Sequence, residues 1–487
     1  MDYNILREND IRGEYPNQIN PQIAETIGKA FGTYLNLKNK ISCVVGHDNR
    51  KSGEVLHEAL INGLLSAGIN VTDIGLSTTP LFNFSCRELK ILYGIMVTAS
   101  HNPSDDNGFK VFGENYLHLN HDELDIFYKI IKEEKFANGN GSLTKINYQE
   151  EYIQMLISKA KITKPLKLVI DAGNGTTSII VKEVFDKLKI DVEYLNAESD
   201  GSFPVHNPDP NDEENLEVLK NKILELKADV GIGFDGDGDR VGIVDEKGNT
   251  IPTDILIGIF ANEIIPISDN KKVIIDVKCS KALEQEIKRI GGIPMILKNG
   301  SAYIETMVYK TPVLIGGEYS GHIFFRDDFD GYDDGIYAGI RFLNILSNTN
   351  KKSSETYEHM NKYYNTPEIR INIPDNLKWD IVNKIKNYAL TKYGNVNTID
   401  GVRVDYDDGF SLIRCSNTSP CVTLRFEAAN EKDLDIRKRE FVNLLEYYKK
   451  NWGLLSGYVI VFSFGLILFF IIFGSELEIL LLVLIKL

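Results

Sequence analysis

The chain has 487 residues, about three times the roughly 150 residues of an ordinary domain, so several domains are expected. Its 54 Lys and Arg against 69 Asp and Glu give a formal net charge of -15, which argues against a nucleic-acid-binding surface as its main function. An apolar fraction of 43% with 25% charged residues is typical of a folded globular chain and excludes wholesale disorder.

The cysteines and the first residues indicate the compartment. Five scattered cysteines without a CxxC pair favour a reducing environment and argue against a disulfide framework or a cysteine zinc site. The opening MDYNILREND is too charged for the apolar core of a secretory signal. We therefore expect the globular part of the chain to be cytoplasmic.

The first 100 residues predict alternating strands and helices. Residues 41–45 form a short apolar run, and apolar residues recur at helical spacing from Val55 to Leu64, before Gly68. Residues 70–74 again predict a strand, and residues 91–97 predict a buried strand. This alternation favours βαβ units and a mostly parallel sheet.

The same alternation restarts at residues 167–175 and 272–280, and strands predominate after Pro367. The sequence therefore predicts an α/β fold, with three related α/β domains followed by a smaller α+β domain. The expected segments are residues 1–152, 153–251, 252–365 and 366–452, followed by a hydrophobic tail at 453–487.

The tail contains 22 residues without a charge, 453–474, which is long enough to span a bilayer at about 1.5 Å per residue. Trp452 stands at the edge of this run, where an interfacial aromatic belongs, and Lys449 and Lys450 precede it. A buried core helix and an error in the gene sequence are the alternatives. We expect a possible membrane helix at 453–474.

The segment FDGDGDRVGIVD carries the clearest chemistry. Asp235, Asp237 and Asp239 alternate, so an extended backbone would point their carboxylates the same way. Crowded carboxylates repel one another unless a cation joins them, and oxygen-only ligands suit Mg²⁺ or Ca²⁺. The spacing therefore predicts a metal site, with Mg²⁺ favoured if a phosphate completes its ligands.

Three other interpretations of this segment compete with the metal site, and the dinucleotide-binding match among them is accidental. The twelve residues from Asp235 resemble an EF-hand loop, but Arg240 stands where that loop needs Gly. Gly231, Gly233 and Gly236 match GxGxxG, yet a strand rather than a helix is predicted next. An acidic loop that simply faces solvent is the third.

The segment TASHNPSDDNGFK directly follows a predicted buried strand. Ser100, at the end of that strand, is a candidate phosphoryl acceptor or nucleophile, with His101 to orient a proton and Lys110 to balance negative charge. The GxSxG motif of serine hydrolases is absent here. An ordinary helix-capping loop is the alternative.

Two further polar segments suit small-molecule recognition. In GGEYSGH, the alternation of Glu318, Ser320 and His322 predicts three polar tips on one face, suited to sugar hydroxyls, unless this is a solvated turn. RCSNTSP offers a group of donors suited to a phosphate dianion, although a plain turn would use similar residues. Its donors are Arg414, Ser416, Asn417 and Thr418.

In this order, the four segments resemble those of the α-D-phosphohexomutases, most closely the bacterial phosphomannomutase/phosphoglucomutase branch. The resemblance runs from about residue 7 to residue 452. It extends to RENDIRGEYP, VVGHDNRKSG, GLSTTP, DGSFPVHNPDPNDEEN, DVKCS and TLRFEA. It implies three related α/β domains with mixed sheets of αβα type and a C-terminal α+β domain around one central cleft.

The resemblance also implies an activity, an isomerase reaction in carbohydrate metabolism. Ser100 would carry a phosphate, donate it to a hexose phosphate, and take back the other phosphate of the bound 1,6-bisphosphate. Phosphate would thus move between C1 and C6 of mannose or glucose phosphates. A hexose 1,6-bisphosphate is the expected activator.

The resemblance assigns residues as well. One Mg²⁺ would be held by Asp235, Asp237, Asp239 and the Ser100 phosphate. The residues expected near the reacting phosphate are Arg12, His101, Lys110 and Arg240. The residues expected at the sugar and the distal phosphate are Lys278, Glu318, Ser320, His322, Arg414, Ser416, Asn417 and Thr418.

The chain departs from the family pattern at several positions. Asn9 replaces the Tyr of Tyr-Asp-Ile-Arg-Gly, and Phe410 stands where Trp is usual. Where many members have Thr-Gly-His-Ser followed by Ile-Lys, this chain has Asn299, Gly300, Ser301 and Ala302, then Ile304 and Glu305. A His that handles protons or contacts phosphate is therefore missing at Ser301. A sugar-phosphate binder without turnover, attached to a membrane by the tail, is the alternative function, and a serine hydrolase or phosphatase is another.

Overall fold

The computed structural model describes residues 2–7, 10–416 and 419–450. The chain divides into two compact units, the first ending at Lys362 and the second starting at Tyr363. The first unit contains three sheets with helices, and the second contains one sheet with helices. Each unit is described separately below.

The first sheet of the first unit has six strands in the order β1-β5-β4-β2-β3-β6. Strands β4, β2, β3 and β6 are parallel, β5 is antiparallel to β4 at one side, and β1 at the edge pairs antiparallel with β5. The strands are β1 (Ile11–Glu14), β2 (Ser42–His47), β3 (Asn70–Leu76), β4 (Gly94–Val97), β5 (Asp106–Phe112) and β6 (Leu143–Lys145). The helices are α1 (Pro21–Leu37), α2 (Gly53–Ser66), α3 (Thr79–Leu89) and α4 (His121–Glu133).

The second sheet has the order β11-β10-β9-β7-β8, in which β7, β8 and β9 are parallel and the hairpin of β9, β10 and β11 is antiparallel. The strands are β7 (Lys167–Asp171), β8 (Asp191–Leu195), β9 (Val230–Phe234), β10 (Val241–Asp245) and β11 (Thr250–Ile251). The helices are α5 (Gln149–Lys159), α6 (Val181–Lys187) and α7 (Glu217–Leu226).

The third sheet has the order β13-β12-β14-β15, with only the last pair antiparallel. Its strands are β12 (Lys272–Asp276), β13 (Ile293–Leu297), β14 (Ile315–Gly317) and β15 (Ile323–Phe325). The helices are α8 (Thr253–Ile264), α9 (Lys281–Arg289), α10 (Ser301–Lys310) and α11 (Gly335–Ser347). Helix α11 packs its buried Ile336 and Ile340 into one apolar core that serves both the second and the third sheet.

The second unit has one antiparallel sheet, β16-β21-β20-β19-β18, with β17 also paired to β21. Its strands are β16 (Tyr364–Asn365), β17 (Ile369–Asn372), β18 (Val396–Asn397), β19 (Val402–Tyr406), β20 (Gly409–Cys415) and β21 (Cys421–Ala428). Helix α12 (Asp375–Lys392) and a helix over residues 431–450 supply the apolar side chains that cover it.

This architecture confirms the predicted fold class of three mixed α/β sheets followed by an α+β unit. The predicted strands at residues 41–45, 70–74 and 91–97 correspond to β2, β3 and β4. Within the described ranges, no helix combines the length and the apolarity needed to cross a bilayer. The expected membrane helix at 453–474 lies outside the described residues.

Two glycines allow α1 and α2 to pack closely. A Cβ at Gly28 would lie 2.2 Å from the carbonyl oxygen of Leu60, and a Cβ at Gly63 would lie 2.2 Å from that of Glu25. Because both obstacles are backbone atoms, a side chain could be accommodated only by separating the helices. The contact therefore explains why glycine is found inside both helices despite its poor helix propensity.

We expect Gly28→Ala to lower the stability of the first unit by about 1–3 kcal/mol, because overpacking must displace backbone. Urea unfolding followed by circular dichroism measures this change. Gly394→Ala is the control, since among the described residues no heavy atom lies within 4 Å of a Cβ built there. Equal unfolding midpoints for the two variants would contradict the packing argument.

Candidate active site

Ser100 lies in a turn between β4 and β5, at the carboxyl end of a central strand of the first sheet. It is buried and has φ +53, a left-handed conformation that is uncommon for a residue other than glycine. Its backbone N–H donates to Oγ1 of Thr98 at 2.9 Å. The surrounding structure therefore holds Ser100 in a strained conformation, which is a feature of many functional sites.

Arg50 holds this turn in place. Its buried guanidinium donates to four backbone carbonyl oxygens of the turn and to Oδ2 of Asp48. The four acceptors are the carbonyl oxygens of Ser100, Asn102, Pro103 and Asp106, at 2.5–2.9 Å. Five donors in a rigid plane allow one arginine to fix the whole turn.

The three aspartates lie in the loop between β9 and β10, which confirms that strands flank them. Their convergence does not come from an extended backbone, so that part of the sequence argument was wrong. The loop is a tight turn in which Gly238 has φ +82, and Oδ1 of Asp235 accepts from the N–H groups of Gly238 and Arg240. One carboxylate oxygen from each aspartate lies within 4.8 Å of the others.

The aspartate loop and the serine turn touch through their backbones. A Cβ at Gly236 would lie 2.5 Å from the carbonyl oxygen of Ser100, so only glycine allows this approach. Oγ of Ser100 donates to Oδ2 of Asp235 at 3.0 Å. The hydroxyl predicted from the first segment thus meets the carboxylates predicted from the second.

Lys110, on β5, balances the charge of this loop. Its Nζ donates to Oδ2 of Asp237 at 2.7 Å and to Oδ2 of Asp239 at 2.5 Å. Burial opposes ionisation of Asp239, but Lys110, His322 and Arg240 together hold its pKa far below the usual range. Burial and the neighbouring Asp239 and Asp237 instead raise the pKa of Asp235.

Two arginines and a histidine complete the surroundings of Ser100. Arg12 donates from Nε to Asp10 and from Nη1 to Oδ1 of Asn102. Nδ1 of His101 lies 3.4 Å from Oγ of Ser100, and burial together with Arg240 and Arg12 lowers the pKa of His101 well below its usual value. Of the five predicted residues, Arg12, Ser100, Lys110 and Arg240 line one cavity, and His101 lies beside the Ser100 hydroxyl.

Many of these groups line one cavity. Its lining consists of Asp10, Arg12, Ser100, Lys110, His118, Arg240, Ser301, Ala302 and His322. Lys and Arg side chains from the first and second sheets make this cavity suitable for an anionic ligand although the whole chain is acidic. His118 also lines it, although no motif in the sequence singled out that residue.

The three polar residues that alternation had predicted on one face lie in and beside the turn between β14 and β15. His322 reaches the cavity, where its Nδ1 bonds Oδ2 of Asp333 at 2.7 Å and its Nε2 accepts from Nε of Arg240 at 3.0 Å. Glu318 instead accepts from the Asn299 side chain and the Gly300 N–H. Residues 318–322 form a turn rather than an extended strand, yet Oγ of Ser320 stays 3.4 Å from Oε2 of Glu318. That all three side chains face one bound sugar stays a prediction.

Glu318, Ser320 and Lys278 form a second group in the third sheet. Oγ of Ser320 lies 3.4 Å from Oε2 of Glu318. Burial and Asp276 raise the pKa of Glu318, whereas His322 and Lys278 lower it. Nζ of Lys278 lies 5.9 Å from the ring centre of Tyr319, on the turn between Glu318 and Ser320.

The remaining predicted residues lie in the second unit. Arg414 is buried on β20 and donates from Nε to Oδ2 of Asp400 at 2.8 Å. Oγ of Ser416 accepts from the N–H of Ser419, and Nζ of Lys378 donates to the carbonyl oxygen of Ser416. Asn417 and Thr418 lie outside the described residues.

Comparison with known proteins agrees with this arrangement. The phosphoglucomutase/phosphomannomutase family models for α/β/α domains I, II and III match residues 4–138, 150–248 and 252–363, and the C-terminal domain model matches residues 368–444. The chain belongs to this family.

Individual phosphoglucomutase/phosphomannomutase family members are similar over nearly the whole chain. The phosphomannomutase/phosphoglucomutase of Pseudomonas syringae pv. tomato is 38% identical to this chain. The match covers 88% of this chain and 92% of the Pseudomonas protein. The phosphoglucomutase of Neisseria gonorrhoeae is 34% identical over 91% and 96% of the two chains. A solved family structure from Burkholderia thailandensis has a TM-score of 0.85 at 34% identity, covering 92% of this chain and 98% of its own.

Arg50 gives a direct test of how the serine turn is held. We expect Arg50→Lys to lower mutase activity by about 10- to 100-fold. The lysine ammonium group cannot replace a planar guanidinium that donates to four carbonyl oxygens. Steady-state kinetics measure this loss. Arg439→Lys is the control, because Arg439 is exposed on the helix over residues 431–450. An Arg50→Lys variant with parental activity would contradict the assignment.

Proposed function

We propose that this protein is a phosphomannomutase/phosphoglucomutase that moves phosphate reversibly between C1 and C6 of mannose and glucose phosphates. The observation that carries the proposal is the meeting of Oγ of Ser100 with Asp235 in a cavity that also contains Lys110 and two arginines. A hydroxyl that takes up a phosphoryl group needs this surplus of donors around it.

A divalent metal fits the aspartate loop. Oδ1 of Asp237 and Oδ1 of Asp239 are buried without a hydrogen-bond partner among the described residues, and three carboxylates converge there. Donor sets made only of oxygen favour Mg²⁺, so we propose one Mg²⁺ per site, held by Ser100, Asp235, Asp237 and Asp239. When bound, it would neutralise charge on the phosphoryl group.

The chain's own residues would handle the transfer. Ser100 carries the phosphoryl group, and the hydroxyl oxygen of the substrate bonds to phosphorus as the bond to Oγ of Ser100 breaks. The bound 1,6-bisphosphate then turns round, and Oγ takes back the other phosphate. Arg12, Lys110 and Arg240 stabilise the negative charge of the phosphoryl group. His101, beside Oγ of Ser100, orients the proton of that hydroxyl when it is not phosphorylated.

Sugar and distal phosphate recognition follow from the family resemblance. We propose that Glu318 and Ser320 bind hydroxyls in either sugar orientation, with His322 and Lys278 beside them. The distal phosphate would be held by the donors of the second unit, Arg414, Ser416, Asn417 and Thr418. We also propose that the four domains of this protein span residues 1–152, 153–251, 252–365 and 366–452.

The reaction is tested with mannose 1-phosphate and glucose 1-phosphate, Mg²⁺ and a trace of a hexose 1,6-bisphosphate as activator. We expect both 6-phosphates to form, and Ser100→Ala to abolish turnover while leaving substrate binding largely intact, because it lacks the phosphoryl acceptor. Ser104→Ala, in the same turn, is the matched control. Chelation should stop turnover and added Mg²⁺ should restore it.

Three outcomes would contradict this function. Full activity of Ser100→Ala would exclude the phosphoserine mechanism. Release of inorganic phosphate without an isomerised product would indicate a phosphatase. Binding of both sugar phosphates without turnover by the parent protein would indicate a binder, or an amino-sugar phosphate as the true substrate.

We further propose that residues 453–474 attach the protein to a membrane. A chain ending at residue 452 should then be fully active and remain in the supernatant after lysates are centrifuged, while the full chain sediments with membranes. Sedimentation followed by detergent extraction measures this difference. Loss of folding in the shortened chain would show that the tail is part of the core.

A further inference from the structure

His118 is fixed beside the strand that carries Lys110. After β5 the chain turns back, so that the N–H of Gly113 donates to the carbonyl of Leu117 and residue 118 forms a β-bridge with Phe112. The ring centres of Phe112 and His118 are 4.3 Å apart. The turn and the ring contact therefore hold the imidazole at the cavity wall.

Glu305, from α10 near the third sheet, fixes the orientation of that imidazole. Its Oε2 lies 2.9 Å from Nδ1 of His118, and Glu305 is only 1% exposed. A carboxylate accepts hydrogen bonds, so in a neutral imidazole held by this contact the hydrogen lies on Nδ1 and the lone pair on Nε2. The Nε2 atom has no hydrogen-bond partner among the residues that the structure describes.

This lone pair adds an acceptor to a cavity whose other acceptors are Asp10, Ser100 and Ser301. Arg12, Lys110 and Arg240 can only donate hydrogen bonds. Both nitrogens of His322 are already used, by Asp333 and Arg240. His118 therefore offers what a sugar hydroxyl needs in this cavity, an acceptor on a rigid ring.

Two departures from the family pattern lie on α10, beside this contact. The family pattern has His and Lys where this chain has Ser301 and Glu305. Ser301 lines the same cavity and carries no imidazole, whereas Glu305 is the residue that binds His118. Glu305, one of these departures, thus holds an imidazole that lines the same cavity as Ser301 but comes from the first sheet's side.

We propose that His118, oriented by Glu305, accepts a hydrogen bond from a hydroxyl of the bound hexose phosphate and replaces the imidazole missing at position 301. His118 is then a substrate-contacting residue and Glu305 a positioning residue. This inference rests on the proposed function.

Two substitutions separate contact with the substrate from support of the fold. The side-chain N–H of His118→Asn can still reach Glu305, but it has no atom at the Nε2 position, whereas His118→Gln can place an oxygen near that position. We expect kcat/KM for both hexose 1-phosphates to fall by about 10- to 100-fold in His118→Asn, as for a lost hydrogen bond. His118→Gln should lose clearly less. The thermal midpoints of the two variants should be similar.

A second-site change tests the replacement itself. Ser301→His introduced into His118→Asn should recover at least tenfold in kcat/KM, because it returns an imidazole to the cavity from the α10 side. Glu305→Gln should lower kcat/KM less than His118→Asn does. His121→Asn is the matched control and should match the parent, since His121 is exposed on α4.

The outcomes distinguish this inference from the proposed function. Absence of mutase activity in the parent protein would overturn the function. An active parent would overturn only the inference if His118→Asn kept kcat/KM within threefold of the parental value. Equal losses in the Asn and Gln variants, or no recovery with Ser301→His, would also overturn it by showing a purely structural role.

Discussion

Burial of negative charge is the constraint on which this site depends. Asp235, Asp237 and Asp239 are almost fully buried in one loop of the second sheet. Unpaired buried carboxylates are costly, and a cation must lie within contact distance to offset that cost. Lys110 meets the requirement from β5 of the first sheet. The ion pairs therefore tie the two sheets together at the place where Ser100 is presented.

Backbone geometry makes that pairing possible. Gly236 lets the aspartate loop approach the carbonyl of Ser100, and Arg50 donates a hydrogen bond to the same carbonyl. Asp48 supports Arg50 and also accepts from Oγ1 of Thr98. Charged donors and acceptors thus fix the serine turn. These contacts keep the Ser100 hydroxyl oriented while the phosphoryl group is transferred to and from it.

The third sheet contributes to the same cavity through α10 and the hairpin that carries His322. His322 bonds Arg240 of the second sheet, and Glu305 bonds His118 of the first. Both contacts join groups that lie more than 80 residues apart in sequence. Positions 301 and 305 therefore have to be considered together with position 118, since a change in one sheet is offset by a residue from another.

The sequence by itself determined the fold class, the phosphohexomutase resemblance and the residues that meet at Ser100, because strand periodicity and short motifs are local properties. It did not determine the path of the aspartate loop, since Gly238 replaces an extended backbone with a turn. Only the tertiary structure selected Arg50 and His118. Their partners are distant in sequence, and packing of the sheets alone decides which of them come within hydrogen-bond distance.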